Sequence, residues 1–473
     1  MSALLSKNQI IHFSGICGTG MASLAVLLKL RGYEVRGSDE NVYPPMSDFL
    51  LQNNIEVLNG FSQKNINSEL DLVVIGNALS RGNPEIEEIL ESKIPYISMS
   101  ELLKRYFISG KTSLVVSGTH GKTTTSSLLA WVFETAKLKP GFFLGGIAEN
   151  FRASCRDGKG EFFISEGDEY DTAFFDKRSK FLHYLPDQLI LNNLEFDHAD
   201  IFDSIEDIRK TFRLLLRLIP EKGIIVANGD DENVLNVLES AYSKKTTFGF
   251  GKNCDFRAIN IKNHLTGTTF EIEDKKNIYS NKKQNFTINL FGSHNVLNAL
   301  GVIILSRYNS ITDKDIQESF DSFKSVKRRQ EFLGEVNGIS VYDDFAHHPT
   351  AIGKTISAIK QRHPRRRLIA VFEPRSNTSV LNKQKNNLIK SFLEADEVIF
   401  SELYRIEKIP MEKRLDIKNV LLSLQNKNIV AHQFSDVSTI INYLKTNCKS
   451  GDIVLIMSNG KFENIHQRLL EKL

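Results

Sequence analysis

The sequence predicts an α/β protein of three domains with mostly parallel sheets, and three observations support this fold class. The chain has 473 residues, which corresponds to about three domains at ~150 residues each. Short apolar strands alternate with helical stretches before residue 108 and again after residue 324, as in doubly wound sheets. From about Cys254 to Leu290 the pattern changes to short alternating runs, which indicate a small antiparallel part. We expect domains at residues 1–108, 109–323 and 324–473.

The composition is that of an ordinary globular protein, and it excludes several classes of partner. The formal net charge of +3 is too small to indicate a nucleic acid or a membrane surface. The four cysteines are scattered without metal-ligand spacing or obvious pairing, which is typical of a reducing compartment. The start, Met1 to Ile10, is mostly polar and predicts no secretory signal, and no apolar run approaches the ~20 residues of a membrane-spanning helix. We therefore expect a cytoplasmic protein with no nucleic-acid and no membrane partner.

The predicted first domain begins with a strand at Ile10–Phe13, a glycine-rich turn at Gly15–Gly20 and an apolar helix. Two further strands end at Ser38–Asp39 and at Asn77–Ala78. Because ligands bind outside the carboxyl ends of parallel strands, these turns form a candidate nucleotide site. An NAD-binding domain is one alternative, since Asp39 lies 19 positions after Gly20. However, the spacing Gly-x-x-Gly-x-Gly differs from the dinucleotide pattern, and the same amides can hold the diphosphate of another nucleotide.

The most informative segment is the turn Gly118–Thr123, which follows an apolar strand and opens a helix. This turn, here called the phosphate loop, reads Gly-Thr-His-Gly-Lys-Thr. Its backbone amides and the helix N-terminus would point at an anion. Lys122 adds a positive charge for a β- or γ-phosphate, and the Thr123 hydroxyl can ligate Mg²⁺. Val116 replaces the glycine that the usual Walker pattern has five residues before Gly121, so the loop is shortened. The segment predicts that the chain binds ATP.

Three further polar segments of the central domain suggest ligand binding. Ser165–Asp171 carries four carboxylates, and Mg²⁺ takes hard oxygen ligands of this kind beside nucleotide phosphates. On composition alone a charged, solvated loop is the alternative. Asn192–Asp200 places His198 among carboxylates, where it can ligate a metal, contact a phosphate or be structural. Gly292–Ala299 begins a helix whose asparagines can recognise adenine or cap the helix.

The predicted third domain carries two polar turns at strand ends. Asp343–Pro349 contains the adjacent histidines His347 and His348, which point in different directions and so do not predict a two-histidine metal site. Phe372–Thr378 contains Arg375, whose guanidinium can hold a carboxylate through two parallel hydrogen bonds. From the residues alone, a polar loop without function is an equally good interpretation of both turns.

The order of these motifs along the chain resembles the Mur ligase family, ATP-dependent amide-forming enzymes of peptidoglycan synthesis. The resemblance runs from about Ile10 to Gln467. It implies a Rossmann-like N-terminal domain, a central P-loop ATPase-like domain and a Rossmann-like C-terminal domain. Segments such as Phe174–Phe181 and Glu373–Thr378 are most similar to the branch that joins L-alanyl-γ-D-glutamyl-meso-diaminopimelate, a murein tripeptide, to UDP-N-acetylmuramate in peptidoglycan recycling. The branch that adds L-alanine instead is the alternative; it shares the Asp343–Pro349 segment but lacks the Phe174–Phe181 block.

The resemblance also implies roles for individual residues, with ATP and Mg²⁺ as cofactors and an acyl phosphate as intermediate. The residues expected to act in catalysis are Lys122, Glu166, His198, His347 and His348. Those expected to hold Mg²⁺ are Thr123, Glu166 and His198. Those expected around ATP are Gly118, Thr119, His120, Gly121, Lys122, Thr123, Thr124, His294, Asn295, Asn298, Arg328, Arg329 and Asp343. Those expected to bind the UDP substrate or the peptide are Gly15, Gly18, Thr19, Gly20, Ser38, Asp39, Asn77, Ala78, Arg178, Arg375, Ser376 and Asn377.

Two alternatives from other functional classes remain open. A nicotinamide-dependent oxidoreductase is favoured only by the segment from Gly15 to Asp39, and it leaves the phosphate loop unexplained. A non-catalytic nucleotide-binding protein would bind ATP without releasing phosphate when both acceptor substrates are present.

Overall fold

The structure is a computed structural model that describes residues 9–279, 283–404 and 409–473. Most of the polar start of the chain, residues 1–8, lies outside the described residues, and so do residues 280–282 and 405–408. Among the helices of the described ranges, none combines the length and the apolar character needed to cross a membrane.

The first sheet has five parallel strands in the order β3-β2-β1-β4-β5. The strands are short and mostly buried except for the edge strand β3, and helices connect most of the successive strands, as the alternating pattern predicts. The strands are β1 (Ile10–Ser14), β2 (Glu34–Asp39), β3 (Glu56–Asn59), β4 (Leu72–Ile75) and β5 (Tyr96–Ser98). The helices are α1 (Thr19–Leu30), α2 (Met46–Gln52), α3 (Pro84–Ser92) and α4 (Met99–Leu103).

The central sheet has ten strands in the order β17-β16-β15-β14-β13-β12-β6-β9-β7-β8. It is parallel from β15 to β7, while β16, β17 and β8 pair antiparallel, so the expected antiparallel part is confirmed. The strands are β6 (Thr112–Ser117), β7 (Gly141–Ala148), β8 (Ala153–Arg156), β9 (Phe162–Gly167), β12 (Gln188–Leu191), β13 (Ile224–Asn228), β14 (Lys244–Gly249), β15 (Phe256–His264), β16 (Gly267–Asp274) and β17 (Gln284–Ile288). A separate hairpin consists of β10 (Asp171–Ala173) and β11 (Asp176–Ser179). The helices are α5 (Lys122–Thr135), α6 (Ile205–Arg217), α7 (Glu232–Leu238), α8 (Ser293–Tyr308) and α9 (Asp313–Ser322).

The third sheet has six strands in the order β18-β19-β23-β20-β21-β22, and only β18 is antiparallel to its neighbour. The strands are β18 (Glu331–Val336), β19 (Ile339–Asp344), β20 (Leu368–Phe372), β21 (Glu397–Phe400), β22 (Val430–Gln433) and β23 (Ile453–Met457). The helices are α10 (Pro349–Arg362), α11 (Lys385–Ser391), α12 (Ile417–Gln425), α13 (Val437–Asn447) and α14 (Ile465–Leu470).

The apolar core joins the first two units more closely than it joins the third. One cluster of buried side chains runs from Phe13 in the first sheet through Phe107 to Phe163 in the central sheet. The guanidinium of Arg31 adds an ion pair with Asp157 at 2.5 Å across the same junction. The two large clusters on the faces of the third sheet contain no central-unit residue in the described part of the chain. The first and central units therefore share a packed apolar junction, and the third is attached mainly by polar contacts.

Candidate functional site

The candidate site lies at the carboxyl ends of β9, β6 and β12, which are neighbours in the central sheet. In this sheet Ser117 is level with both Gly167 and Leu191, so the three strands end together. The turns that follow them are the phosphate loop, the acidic turn and the turn that carries His198. The ends of β19 and β20 from the third sheet face them across a cleft.

The phosphate loop is held by the asparagines that follow β12. The backbone N–H of His120 donates to Asn193 Oδ1 at 2.8 Å, and the N–H of Thr119 donates to Asn193 O at 2.9 Å. Gly121 has a φ of +81°, and a Cβ there would lie 2.8 Å from Asn298 Oδ1, so the turn requires glycine. Helix α5 begins directly after it at Lys122, so the helix N-terminus faces the cleft.

Two cationic side chains converge on Glu169, a buried carboxylate. Lys122 Nζ lies 2.6 Å from Glu169 Oε2, and His198 Nε2 lies 3.0 Å from Glu169 Oε1. Burial lowers the pKa of Lys122 and of His198, but the charge and hydrogen bonds of Glu169, together with neighbouring carboxylates such as Asp168 and Asp197, outweigh it and raise both. Lys122 therefore stays charged at neutral pH, and the protonated form of His198 is favoured more than that of a free imidazole. Since a metal-bound imidazole must be unprotonated, His198 would have to leave Glu169 and lose its proton to ligate Mg²⁺; that role stays a prediction.

Glu166 and Thr123 offer hard oxygen ligands beside the phosphate loop. The Thr123 hydroxyl donates to Glu166 Oε1 at 3.0 Å, and the N–H of Gly145 donates to Glu166 Oε2 at 2.7 Å. Burial raises the pKa of Glu166 despite the nearby charge of Lys122. A buried carboxylate of this kind is stabilised in its charged form by a divalent cation, and Mg²⁺ prefers such oxygen donors. The residues present fit the expected Mg²⁺ site.

A second cavity, of about 100 Å³, lies on the other side of the phosphate loop and contains the expected adenine residues. Its wall includes His294, Asn295 and Asn298, together with Phe248 and Gln330. Burial lowers the pKa of His294 to about 3, with a smaller effect of the positive charge of Lys354, so its ring is neutral. Neutral rings and amides suit an uncharged heterocycle that offers hydrogen-bond donors and acceptors.

Two of the third-unit residues expected at this cavity do not line it, and their neighbours in the sequence line it instead. Asp343 is 5% exposed and pairs with Arg328 at 3.0 Å and with His466 at 3.0 Å. The next residue, Asp344, lines the cavity instead, because successive side chains at a strand end point to opposite faces. Likewise Arg328 is turned away, whereas Arg329 donates to the Thr123 hydroxyl at 3.2 Å. The expectation that Asp343 and Arg328 contact the nucleotide stays a prediction, but Asp344 and Arg329 are the residues of these pairs that line the cavity.

The predicted acceptor residues line a third cavity, of about 150 Å³, which His198 and His347 also border. The Arg375 guanidinium stacks 3.7 Å above the ring of Tyr404 and lies 3.5 Å from Glu373. Asn377 lines the same wall, while the Ser376 hydroxyl donates to Ser379 Oγ at 2.9 Å and so stabilises the turn.

This cavity opens into a larger one, and a hydrogen bond joins the turn that lines it to the central unit. The outer cavity, of about 490 Å³, shares Asp200, Arg375, Asn377 and Tyr404 with the inner one and extends to Lys413. The Thr378 hydroxyl donates to Asp197 Oδ1 at 2.7 Å. Thr378 and Asp197 lie in two of the polar segments found in the sequence, but no role was predicted for them, because only the fold brings the two turns together.

The adjacent histidines serve different neighbours, as expected. His347 lies between the phosphate loop and the Arg375 cavity, and its Nδ1–H donates to Phe345 O at 3.0 Å. His348 caps α10 by accepting from the N–H of Thr350 at 3.4 Å, and its ring packs 4.6 Å from that of His120. Burial lowers the pKa of each to about 4, so both are neutral at pH 7.

The first unit presents its glycine-rich turn to solvent near the same cleft. Gly18, Thr19, Asn77 and Ala78 are exposed, and the Asn77 amide donates to Asp171 Oδ1 at 3.3 Å. Gly15 has a φ of +83° and donates its N–H to Ser38 O at 2.8 Å. These residues surround an open edge where a diphosphate could approach backbone amides.

Four other expected residues of this region have structural partners. The Ser38 side chain is fully buried and donates to Glu85 at 2.7 Å, so its hydroxyl does not face a ligand. Asp39 accepts from the N–H of Cys17 at 2.9 Å and stabilises the turn. A Cβ at Gly20 would lie 3.1 Å from Met99 Sδ. Arg178 is paired with Asp176 at 2.8 Å, and its side chain is mostly exposed.

Comparison with known proteins gives matches along the whole chain. Residues 10–109 match the model "Mur ligase family, catalytic domain", residues 116–306 match "Mur ligase middle domain", and residues 328–460 match "Mur ligase, glutamate ligase domain". The UDP-N-acetylmuramate–L-alanyl-γ-D-glutamyl-meso-2,6-diaminoheptandioate ligase of Escherichia coli is 41% identical over 467 residues, or 98% of each chain. The UDP-N-acetylmuramate–L-alanine ligase of Clostridium acetobutylicum is 34% identical over 98% of this chain and 99% of its own. A crystal structure of a murein peptide ligase from Psychrobacter arcticus matches with a TM-score of 0.72 at 35% identity, over 98% of both chains.

Proposed function

The chain belongs to the Mur ligase family, and on that premise we propose that it ligates a murein tripeptide to UDP-N-acetylmuramate at the expense of ATP. The tripeptide is L-alanyl-γ-D-glutamyl-meso-diaminopimelate, the acceptor that the Escherichia coli relative is named for. The observation that carries this choice is the connected pair of cavities around Arg375, since it extends past Asp200 to Lys413. A free amino acid would fill only its inner part. Such an enzyme would return wall-derived peptides to peptidoglycan synthesis.

Each unit would take one part of the reaction. The turns of the first unit would hold the diphosphate of the UDP substrate through backbone amides at the start of α1, near Gly18 and Thr19. The central unit would bind ATP, with its phosphates at the phosphate loop and its adenine beside His294. The third unit would supply the acceptor site around Arg375. This division brings the lactyl carboxylate, the γ-phosphate and the peptide amine together in the cleft near His198.

The fit of Thr123 and Glu166 to a hard cation supports Mg²⁺ as the metal. Bound there, Mg²⁺ would neutralise phosphate charge, a main requirement of phosphoryl transfer. Lys122 would add a fixed positive charge at the same phosphates. Phosphorylation of the lactyl carboxylate would give an acyl phosphate, which the peptide amine would then attack. Since burial keeps His347 neutral beside the Arg375 cavity, its ring can accept the proton that the amine must lose.

The experiment that tests this function is a competition between acceptors. The purified chain is incubated with UDP-N-acetylmuramate, ATP and Mg²⁺, together with either the tripeptide or L-alanine, and each product is identified by mass. We expect a much higher kcat/KM with the tripeptide, because L-alanine would leave polar groups of the outer cavity unpaired. The second candidate, ligation of L-alanine, is favoured by relatives such as that of Clostridium acetobutylicum. A higher kcat/KM with L-alanine would replace the tripeptide proposal by this one.

A further inference from the structure

Three side chains unrelated to the expected Mg²⁺ ligands converge where the central and third units meet. His120 Nε2 lies 3.5 Å from Glu195 Oε2, and His348 Nδ1 lies 3.7 Å from the same oxygen. One ligand atom from each of the three residues lies within 4.8 Å of the others. The edge of a tetrahedron around Zn²⁺ is about 3.4 Å for metal–ligand bonds of about 2.0–2.2 Å. The observed spacing needs only small side-chain adjustments to meet that value.

Neighbouring groups hold the three side chains in place, as the surroundings of metal sites generally do. The backbone of His120 is fixed by Asn193, and the Thr119 hydroxyl bonds the backbone of Glu195 at 2.9 Å. The Thr350 hydroxyl donates to the Glu195 carboxylate. The N–H of Thr350 makes a long hydrogen bond of 3.4 Å to His348 Nδ1, which a bound ion would replace. The site would therefore be largely formed before an ion arrives.

The protonation states and an unused nitrogen also favour a cation. The Nε2 atom of His120 is buried without a hydrogen-bond partner in the described part of the chain, which is unusual for a polar atom, and the Glu195 carboxylate lies 3.5 Å from it. Burial opposes ionisation of Glu195, but the nearby His120 and Thr350 outweigh it and lower its pKa to about 2. Since the pKa of His348 is about 4, both groups are in their metal-binding forms at pH 7.

We propose that His120, Glu195 and His348 form a binding site for a borderline-soft divalent cation of the Zn²⁺ class. Two imidazoles and one carboxylate are a common Zn²⁺ ligand set, whereas Mg²⁺ prefers oxygen ligands alone. His120 belongs to the phosphate loop and His348 to the start of α10, so a bound ion joins the central unit to the third. Such an ion resists the opening that substrate exchange requires. This site is separate from Thr123 and Glu166.

The test is Zn²⁺ binding to the metal-free full-length protein, measured by competition with a chromophoric chelator, with Co²⁺ absorption as a second readout. We expect one ion of each metal with tetrahedral Co²⁺ bands. His120→Asn and His348→Asn should each weaken Zn²⁺ binding at least ~10-fold, since even partners outside the ligand shell contribute that much. Asn at position 348 can still cap α10, so the helix is preserved.

Two matched variants separate this site from others. His432→Asn removes an imidazole that is bonded to Tyr443 elsewhere in the third unit, and it should bind Zn²⁺ like the wild type. Glu166→Gln, which alters the expected Mg²⁺ site, should also retain Zn²⁺ binding. The proposal is overturned if the wild type binds no Zn²⁺, if both His→Asn variants bind as tightly as the wild type, or if Glu166→Gln alone loses the ion. None of these measurements depends on which acceptor the enzyme uses.

Discussion

Glu169 is the residue whose position most changes the interpretation of the site. It is 3% exposed and pairs with both Lys122 and His198. Glu169→Gln removes the charge that stabilises the His198 imidazolium, so we expect the pKa of His198 to fall. The measurement is NMR titration of the His198 ring, with its signal assigned from a His198→Gln spectrum. The control is Glu161→Gln, an exposed residue directly before β9, and it should leave the titration of His198 unchanged. An unaltered pKa in Glu169→Gln would contradict the pairing.

Lys122 is the residue that we expect to supply positive charge to the ATP phosphates at the phosphate loop. Replacing it by Gln should lower kcat at least ~100-fold, since an electrostatic contact in such a site contributes roughly 3 kcal/mol to the transition state. Steady-state ligation assays measure the loss, and circular dichroism checks the fold. Lys314→Gln removes an equal charge from a side chain that is 84% exposed, and it should retain normal turnover. A folded Lys122→Gln protein with near wild-type kcat would exclude this role.

The guanidinium of Arg375 lies over the ring of Tyr404, so we expect the site to require the shape of this side chain as well as its charge. Arg375→Lys keeps the charge but loses the planar, two-pronged geometry that fits a carboxylate. We expect the KM for the tripeptide to rise in Arg375→Lys and to rise further in Arg375→Ala, while the KM for ATP changes little. Initial-rate kinetics with each substrate varied in turn would show this. Equal increases in both KM values would indicate a general disturbance of the cleft instead.

Sequence patterns identified the types of residue in the site better than their partners. Lys122, Thr123 and Glu166 could be predicted because they follow apolar strands within short motifs. The sequence analysis named Asp343, whereas Asp344 lines the cavity. Only the observed strand register shows which of two adjacent carboxylates faces the cavity. Glu169 was noted as one of four carboxylates, but its contact with His198 connects turns after different strands. Such contacts follow from the packing of the sheet and are not encoded locally.

At the scale of elements, the buried parallel strands were predictable and the short polar ones were not. β1, β6, β12 and β20 are apolar runs that end at a polar turn, which is a strong local signal. The hairpin of β10 and β11 is short and charged, so its sequence resembles a loop. The order of strands in the sheet could not be predicted from the apolar pattern either. The sheet places β12 beside β6, although many residues and several other strands lie between them in the sequence.

Helix α10 ends at a histidine that should make stability depend on pH. Burial, with the charges of Arg362 and Arg366, lowers the pKa of His363 to about 4, and its Nε2 lies 2.9 Å from the Tyr342 hydroxyl. The unfolded chain has a His pKa of ~6.5, so between pH 6.5 and 4 it binds more protons than the folded chain. Stability is therefore full above pH 6.5 and falls as the pH is lowered through this window.

His363→Gln removes that titration while its amide can still bond the Tyr342 hydroxyl. We expect the loss of unfolding free energy from pH 7 to pH 5 to be smaller in the variant by roughly 1 kcal/mol, a value reduced because the ring is partly solvated. Urea unfolding at both pH values measures the difference. His264→Gln, at an exposed position on β15, serves as the control. Parallel pH dependence in His363→Gln and the wild type would refute the assignment.

At the scale of the molecule, the junctions between the units differ in kind. The first and central units share a continuous apolar cluster, whereas Arg329–Thr123, Thr350–Glu195 and Thr378–Asp197 are polar contacts to the third unit. Small polar junctions open more readily than apolar ones. The three-unit architecture was predictable from the alternating pattern, but this difference was not, because it depends on which surfaces meet. The boundaries at 108/109 and 323/324 stay a prediction that fits the separate sheets.

The third unit should therefore close on the central unit when ligands fill the cleft. Small-angle scattering should give a smaller radius of gyration with UDP-N-acetylmuramate and a non-hydrolysable ATP analogue than for the protein alone, because residues of both units line the cavity expected to hold the nucleotide. Thr378→Val keeps the side-chain shape but removes the donor to Asp197. Asp197 is a buried carboxylate; burial raises its pKa, but the charge of His198 and other neighbours outweighs burial and keeps the pKa low. Without the Thr378 hydroxyl, the Asp197 carboxylate lacks one hydrogen bond in the closed form, which is therefore destabilised. In the open form water can replace that hydrogen bond. We expect Thr378→Val to need higher ligand concentrations for the same compaction, while Thr446→Val, on the exposed surface of α13, behaves like the wild type. A radius of gyration that ligands leave unchanged in the wild type would show that the cleft is already closed in solution.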